Sequence, residues 1–190
     1  MSIIKKLSVL AVVVFALGAL GVANASAATK FTATAKPAAL SGKQLETQKF
    51  KTNGGTVECN TLAASGTVEK LESTEQEATV TYSGCSAFGF PVDNITATYL
   101  FTANGSVHVQ NEPKITVTGG IFGECTVTVA KQTVNGVTYD NNGGKIKITP
   151  NPVKGIKYTS SGGICGASGE NGEYSGASEV EEAGGNLSVD

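Results

Sequence analysis

The chain contains no arginine and no tryptophan, one histidine (His108) and one methionine (Met1). Each absence removes a class of chemistry. Without arginine there is no guanidinium fork to read guanine or clamp a phosphate in a bidentate pair, and lysine does not replace it there. A single histidine cannot build a multi-histidine zinc or copper centre within one chain. Any Ser-His-Asp or Cys-His arrangement would have to run through His108. With Met1 at the extreme start, no internal thioether is offered to oxidants or soft metals. The lack of tryptophan weakens any carbohydrate-stacking surface. Helical spacing of apolar residues is nearly absent as well.

What is present begins with an export pattern. Lys5 and Lys6 precede an uncharged apolar run from Leu7 to Val22, followed by the small-residue exits Ala23-Asn24-Ala25 and Ala25-Ser26-Ala27. This arrangement predicts a signal peptide over residues 1–27 and a secreted, extracellular protein, with association to the cell wall as one form of that location. No cysteine stands at the exit to carry a lipoprotein anchor, and the last residues lack an apolar tail, so no membrane association is expected after cleavage. The expected mature chain of 163 residues carries 12 lysines against 16 acidic residues, a net charge of −4. That length suits one domain, expected over 28–180. The stretch 181–190, with Glu181, Glu182 and Asp190 around Gly184-Gly185, reads as a mobile acidic tail. A mildly acidic chain without arginine is not expected to bind nucleic acid.

From Lys30 onward, β-branched and aromatic residues alternate with polar ones at period two. Val80 and Tyr82 alternate with Thr79, Thr81 and Ser83, and Ile146 and Ile148 with Lys145, Lys147 and Thr149. These are half-buried strands with one apolar and one wet face. Five Asn-Gly pairs, at Asn53, Asn104, Asn135, Asn142 and Asn171, tolerate the positive φ angles of tight hairpins. The expected strands are 30–36, 45–52, 55–60, 64–71, 77–85, 93–102, 106–111, 114–118, 124–130, 136–140, 145–150, 155–160 and 172–180. The predicted class is all-β, an antiparallel β-sandwich of short hairpin-connected strands. It is preferred to a closed barrel because no uniform strand length or repeated corner pattern occurs. Val134-Asn135-Gly136-Val137-Thr138-Tyr139 is echoed 19 residues on by Val153-Lys154-Gly155-Ile156-Lys157-Tyr158. The echo marks either equivalent strands flanking 145–149 or shared hairpin vocabulary.

Cys59, Cys85, Cys125 and Cys165 are an even set in an exported chain, and gaps of 26, 40 and 40 residues lack the close pairs that metal sites use. Disulfides are expected, with three pairings open. The stretches Phe31-Thr32-Ala33, Gly54-Gly55-Thr56-Val57-Glu58-Cys59, Thr81-Tyr82-Ser83-Gly84-Cys85, Tyr99-Leu100-Phe101-Thr102-Ala103-Asn104-Gly105, Gly155-Ile156-Lys157-Tyr158 and Gly172-Glu173-Tyr174-Ser175-Gly176 occur in this order. Across roughly residues 29 to 180 they resemble a group of uncharacterised, disulfide-containing secreted β-rich proteins of actinobacteria, present as many divergent copies per genome. The resemblance implies an extracellular β-rich domain and brings no activity, substrate or catalytic residue. Relatives of this kind commonly carry two further cysteines, near Ala97 and Asn111 here. Their joint absence implies that those two pair together, leaving Cys59 with Cys85 and Cys125 with Cys165.

No constellation names a reaction. Glu58 and Glu124 each precede a cysteine, but if the cysteines point inward, alternation turns both carboxylates to solvent. His108 alternates with Val107 and Val109 and so takes the polar face of its strand, and no nucleophile elbow accompanies it. Ser161-Gly162-Gly163 precedes no helix and lacks a P-loop lysine. Phe88 and Phe90, in a loop beside Cys85, could form an exposed apolar contact, but Phe88 or Phe90 is expected to fold back and cap the core. The expectation is therefore a non-enzymatic extracellular or cell-envelope protein serving adhesion, structure or binding, without cofactor or metal. A cell-wall polymer or glycan is its candidate partner. A secreted carbohydrate-binding protein using Tyr82, Tyr99, Tyr139, Tyr158 and Tyr174, or a secreted hydrolase, are the alternatives.

Overall fold

In the computed structural model, residues 30–118, 123–163 and 165–190 are described, and the expected signal peptide lies outside them. The described residues contain strands and no helix, so no helix is long and apolar enough to cross a membrane. The first strands are β1 (Phe31–Ala33), β2 (Ala38–Gln44), β3 (Gln48–Lys51), β4 (Thr56–Val68), β5 (Glu72–Ser73) and β6 (Glu75–Ala87). Next come β7 (Phe90–Val92), β8 (Ile95–Thr102), β9 (Ser106–Val109), β10 (Lys114–Thr118), β11 (Glu124–Val129) and β12 (Thr133–Asn135). The last are β13 (Val137–Asn142), β14 (Lys145–Pro150), β15 (Val153–Ser161), β16 (Gly169–Ser175), β17 (Ser178–Glu182) and β18 (Leu187–Val189).

β4 and β6 organise the molecule. At 13 residues each they run roughly 40 Å at the usual strand rise, and they pair with each other from Val57–Ala87 to Ser65–Thr79. Neither keeps one outer neighbour along its length. The first turn of pairing on β4 takes β3, and its far end takes β2. The end of β6 takes β7, and its start takes β8. Each of these two strands therefore belongs to two curved surfaces. At one end the ladder runs β4, β6, β7, β10, β11, β15, β16, β3 and returns to β4, a closed ring of eight antiparallel strands. At the other end two wings, β8-β9-β12 and β2-β17-β14-β13, extend from the same pair. The wings meet through Gly136, which links β12 to β13 at φ +99°, and through the Val137 amide donating to the Gly105 carbonyl at 3.2 Å.

The all-β, antiparallel and disulfide-stapled expectation holds, and its division into two facing sheets gives way to this barrel. The ring depends on β7, a segment whose role as a strand was not expected. Phe88 and Gly89, with φ of 55° and 80°, turn the chain so that Phe90–Val92 folds back on β6, and Val92 then meets Val117 of β10. Both central residues at positive φ is the twist-matched hairpin turn, built here without the usual Asn-Gly. Phe90 packs against the core, whereas Phe88 stays 44% exposed over Gly55.

The stretch 181–190, expected as a mobile acidic tail, contains a paired strand. β18 pairs with β1, Leu187 is buried, and Lys30 and Asp190 exchange backbone hydrogen bonds. Glu182 is buried because its carboxylate accepts from the amides of Thr34 at 3.0 Å and Ala35 at 2.5 Å. The Gly136/Gly155 echo is local geometry: β14 is flanked by β13 and β17, while β15 lies between β11 and β16. Gly155, at φ +77°, sits at a register shift in β15.

One end of the ring is locked backbone to backbone. Gly54, in the β3–β4 turn, lies so close to the Cys165–Gly166 loop that a Cβ on it would fall into the Cys165 carbonyl, and Gly166 presses back on the Gly54 Cα. Around this contact the Asn53 amide donates to the Tyr158 hydroxyl at 2.8 Å, and Asn171 Nδ2 donates to Asn53 Oδ1 at 2.6 Å. Gly54→Ala is expected to cost about 3 kcal/mol in chemical denaturation, because neither backbone can retreat. Gly163→Ala, whose new methyl would meet nothing, should stay within about 0.5 kcal/mol. Equal effects from the two substitutions would mean that the contact is not locked.

Candidate functional site

Apolar residues gather in three clusters. One fills the eight-strand ring and includes both disulfides. A second lies between β1, β2, β14, β17 and β18 in the winged end, around Phe31, Leu40, Ile146 and Leu187. A third joins the winged end to β11 and β15 through Val107, Val129, Val137, Val153 and Ile156. Where the three approach one another they leave a cavity of about 140 Å³. Its walls include Leu62 and Val80 from the first cluster, Leu40 and Ile146 from the second, and Val137 and Val153 from the third. The small side chains Ala64 and Ala78 on β4 and β6 leave the space open. A second cavity of about 80 Å³ lies within the ring, bounded by Val57, Cys59, Ile95 and Ile115.

A polar partition separates the two. Gln48, Tyr82, Tyr99 and Tyr174 line both cavities. Gln48 is a buried amide, 3% exposed, and Gly176 accommodates it at φ +133°, where a Cβ would stand 2.8 Å from the amide. Gln48 Nε2 donates to the carbonyls of Glu46 at 2.6 Å and Ala177 at 3.0 Å. Because carbonyls only accept, this fixes which end of the amide is nitrogen. Gln48 Oε1 is left to accept, and the Tyr174 hydroxyl donates to it. The Tyr82 hydroxyl stands 3.4 Å from that of Tyr174 and 3.2 Å from that of Tyr99.

Burial, reinforced by the neighbouring phenols, pushes Tyr82 and Tyr99 well above the ordinary tyrosine range. Burial likewise raises Tyr174 and Tyr139. The partition is neutral at any physiological pH. Tyr139 packs edge-on against Phe31 at 5.2 Å, and its hydroxyl is shut off from solvent without a hydrogen-bond partner.

Of the residues singled out from the sequence, Tyr82, Tyr99, Tyr139 and Tyr174 line this cavity, whereas Tyr158, the four cysteines, Glu58, Glu124 and His108 do not. Cys59 is bonded to Cys85, its cross-strand partner on β6, and Cys125 to Cys165, the pairing implied by the resemblance. Glu58 turns outward to Lys49 at 2.8 Å, and Glu124 is exposed beside Thr126. In the ring order β4 and β11 are four strands apart in either direction, so the two carboxylates face away from opposite sides. His108 Nδ1 lies 2.7 Å from Thr133 Oγ1 on the outer strands β9 and β12. Among the described residues no group of His, Cys, Asp or Glu is placed to hold a metal ion.

Tyr82 and Tyr158 are buried in the core, and Tyr99 and Tyr174 pack against the same cluster. Sequence reasoning missed Gln48, Ala64, Ala78 and Gly176, which shape the cavity. The one local signal is that Gln48 shares a strand face with Phe50. No protein-family model, curated protein or solved structure matches this chain.

Proposed function

We propose that the chain is a secreted, non-enzymatic binding module of the cell envelope that takes a small, neutral, largely apolar molecule into its interior. The observation that carries this reading is the cavity. An apolar void of roughly 150 Å³ engineered into another protein stays dry and takes up benzene, so the space here is ligand-sized. Apolar walls around about 140 Å³ of unfilled space forgo packing contacts that the fold could otherwise make. Filling it is chemically simple, since one larger side chain at Ala78 would do so. Retention of a costly void on a doubly bridged scaffold suits a binding role, and natural sites commonly trade stability for function in this way. Support for the secreted location comes from the export pattern of residues 1–27 and from the two disulfides, which persist in oxidising compartments. The carbohydrate alternative would need tyrosines on a shared exposed face, and these pack inward instead.

Benzene should raise the thermal midpoint of the wild-type mature chain. Ala78→Leu should raise the ligand-free midpoint and lose the benzene response. An unchanged wild-type midpoint at saturating benzene would remove this reading.

A further inference from the structure

The partition between the cavities has a direction. A phenol hydroxyl carries one proton to donate and lone pairs to accept. Gln48 Nε2 is committed to two backbone carbonyls, so Gln48 Oε1 can only accept, and the Tyr174 proton points at it. Tyr174 has no second proton and must accept from Tyr82. With its own proton spent on Tyr174, Tyr82 must in turn accept from Tyr99. The chain therefore runs one way, from Tyr99 through Tyr82 and Tyr174 to Gln48. Every hydroxyl in it both donates and accepts except the first. Tyr99 gives its proton away and receives none, and it lines the large cavity.

Resting on the binding function proposed above, we infer that the ligand is a hydrogen-bond donor: a small ring or short chain bearing one hydroxyl, whose O–H is accepted by Tyr99 Oη. The rest of the molecule lies against Leu40, Leu62, Val80 and Ile146. Charged ligands are disfavoured because Glu179 is the one ionisable Asp, Glu, Lys or His lining this cavity, and Lys43 and Lys145 already pair with it at 3.5 and 3.4 Å. An acceptor-only ligand finds no free proton along the chain. The Tyr139 hydroxyl is walled off, which leaves the Ser178 hydroxyl, on the β17 wall, as the one side-chain donor outside the chain that could meet an acceptor.

Phenol and toluene have nearly the same shape and test this directly by calorimetric titration of the mature wild-type protein. In a cavity without a partner, burying the phenol hydroxyl would weaken binding about ten-fold or more. The expected result is a phenol Kd within about three-fold of that for toluene, with benzaldehyde, which only accepts, about ten-fold weaker than phenol. Tyr99→Phe should weaken phenol about ten-fold and leave toluene unchanged, and the toluene value reports that the cavity is intact. Toluene binding with phenol ten-fold weaker would overturn the donor assignment and leave the cavity reading standing. Benzaldehyde binding tighter than phenol would also overturn it, pointing to a donor such as the Ser178 hydroxyl as the ligand's partner. If none of the three binds, the binding function itself falls.

Discussion

Above pH 10 the protein should lose stability steeply and unfold as its tyrosines ionise. Burial raises Tyr82, Tyr99, Tyr139 and Tyr174 above their unfolded value near 10. In the folded state these four keep their protons through the range in which the unfolded chain releases them. Above pH 10 the unfolded state binds fewer protons, so the stability falls as pH rises; below it the contribution is fully present. Four groups at about 1.4 kcal/mol per pH unit each give a slope on the order of 5 kcal/mol per unit, comparable with the whole stability of many domains. Tyrosinate absorbance followed alongside circular dichroism provides the measurement. The ionisation of these four should coincide with loss of the fold, and Tyr99→Phe should flatten the slope by about a quarter. Four tyrosines ionising near pH 10 in a protein that keeps its circular dichroism would show that the partition is open to water.

The partition and the cavity were only partly legible in the sequence, for identifiable reasons. Period-two alternation placed strands well where the residues are β-branched: 114–118 and 145–150 carry the bounds expected. It also put Tyr82 on the same face as Val80, and both are buried. It failed where strand formation depends on partners. β2 reads Ala-Ala-Leu-Ser-Gly-Lys-Gln, poor in β-formers, and is a strand because β4 and β17 flank it. Gly42 lets them approach there: a Cβ at that position would lie 2.9 Å from the Cβ of Ala64. β7 was hidden by a hairpin turn at Phe88-Gly89. The acidic end looked solvated because the groups that neutralise it lie far off in sequence, Thr34 and Ala35 for Glu182, and Lys43 and Lys145 for Glu179. A cavity is harder still. It is the space left where three apolar clusters from distant segments fail to meet, and no local pattern encodes a gap. The direction of the tyrosine chain rests on one amide, Gln48, whose inward orientation is set by carbonyls at Glu46 and Ala177.

Reduced protein should be largely unfolded, and the two bridges should fail differently. Their loops of 26 and 40 residues correspond in the chain-entropy model to about 3.5 and about 4 kcal/mol. Losing both, about 7 kcal/mol together, would exhaust the margin of many domains. Cys59 and Cys85 face each other inside a ladder whose neighbours, from Val57–Ala87 to Ser65–Thr79, stay paired without the bridge. Cys59→Ala/Cys85→Ala should therefore lower the midpoint while leaving β4 and β6 amides protected from hydrogen exchange in the native state. Cys165 belongs to no strand, and its amide reaches only the Gly162 carbonyl at 3.3 Å. In Cys125→Ala/Cys165→Ala the turn after β15 loses its tether to β11, and with it the surface on which Gly54 rests. That variant should lose protection locally at the Asn53 amide, which donates to Tyr158, before global unfolding. Hydrogen exchange resolved by residue separates the cases. A fully reduced wild-type protein with its midpoint within a few degrees of the oxidised one would show that the ring holds itself together. The argument from disulfides to an oxidising compartment would then lose its physical basis.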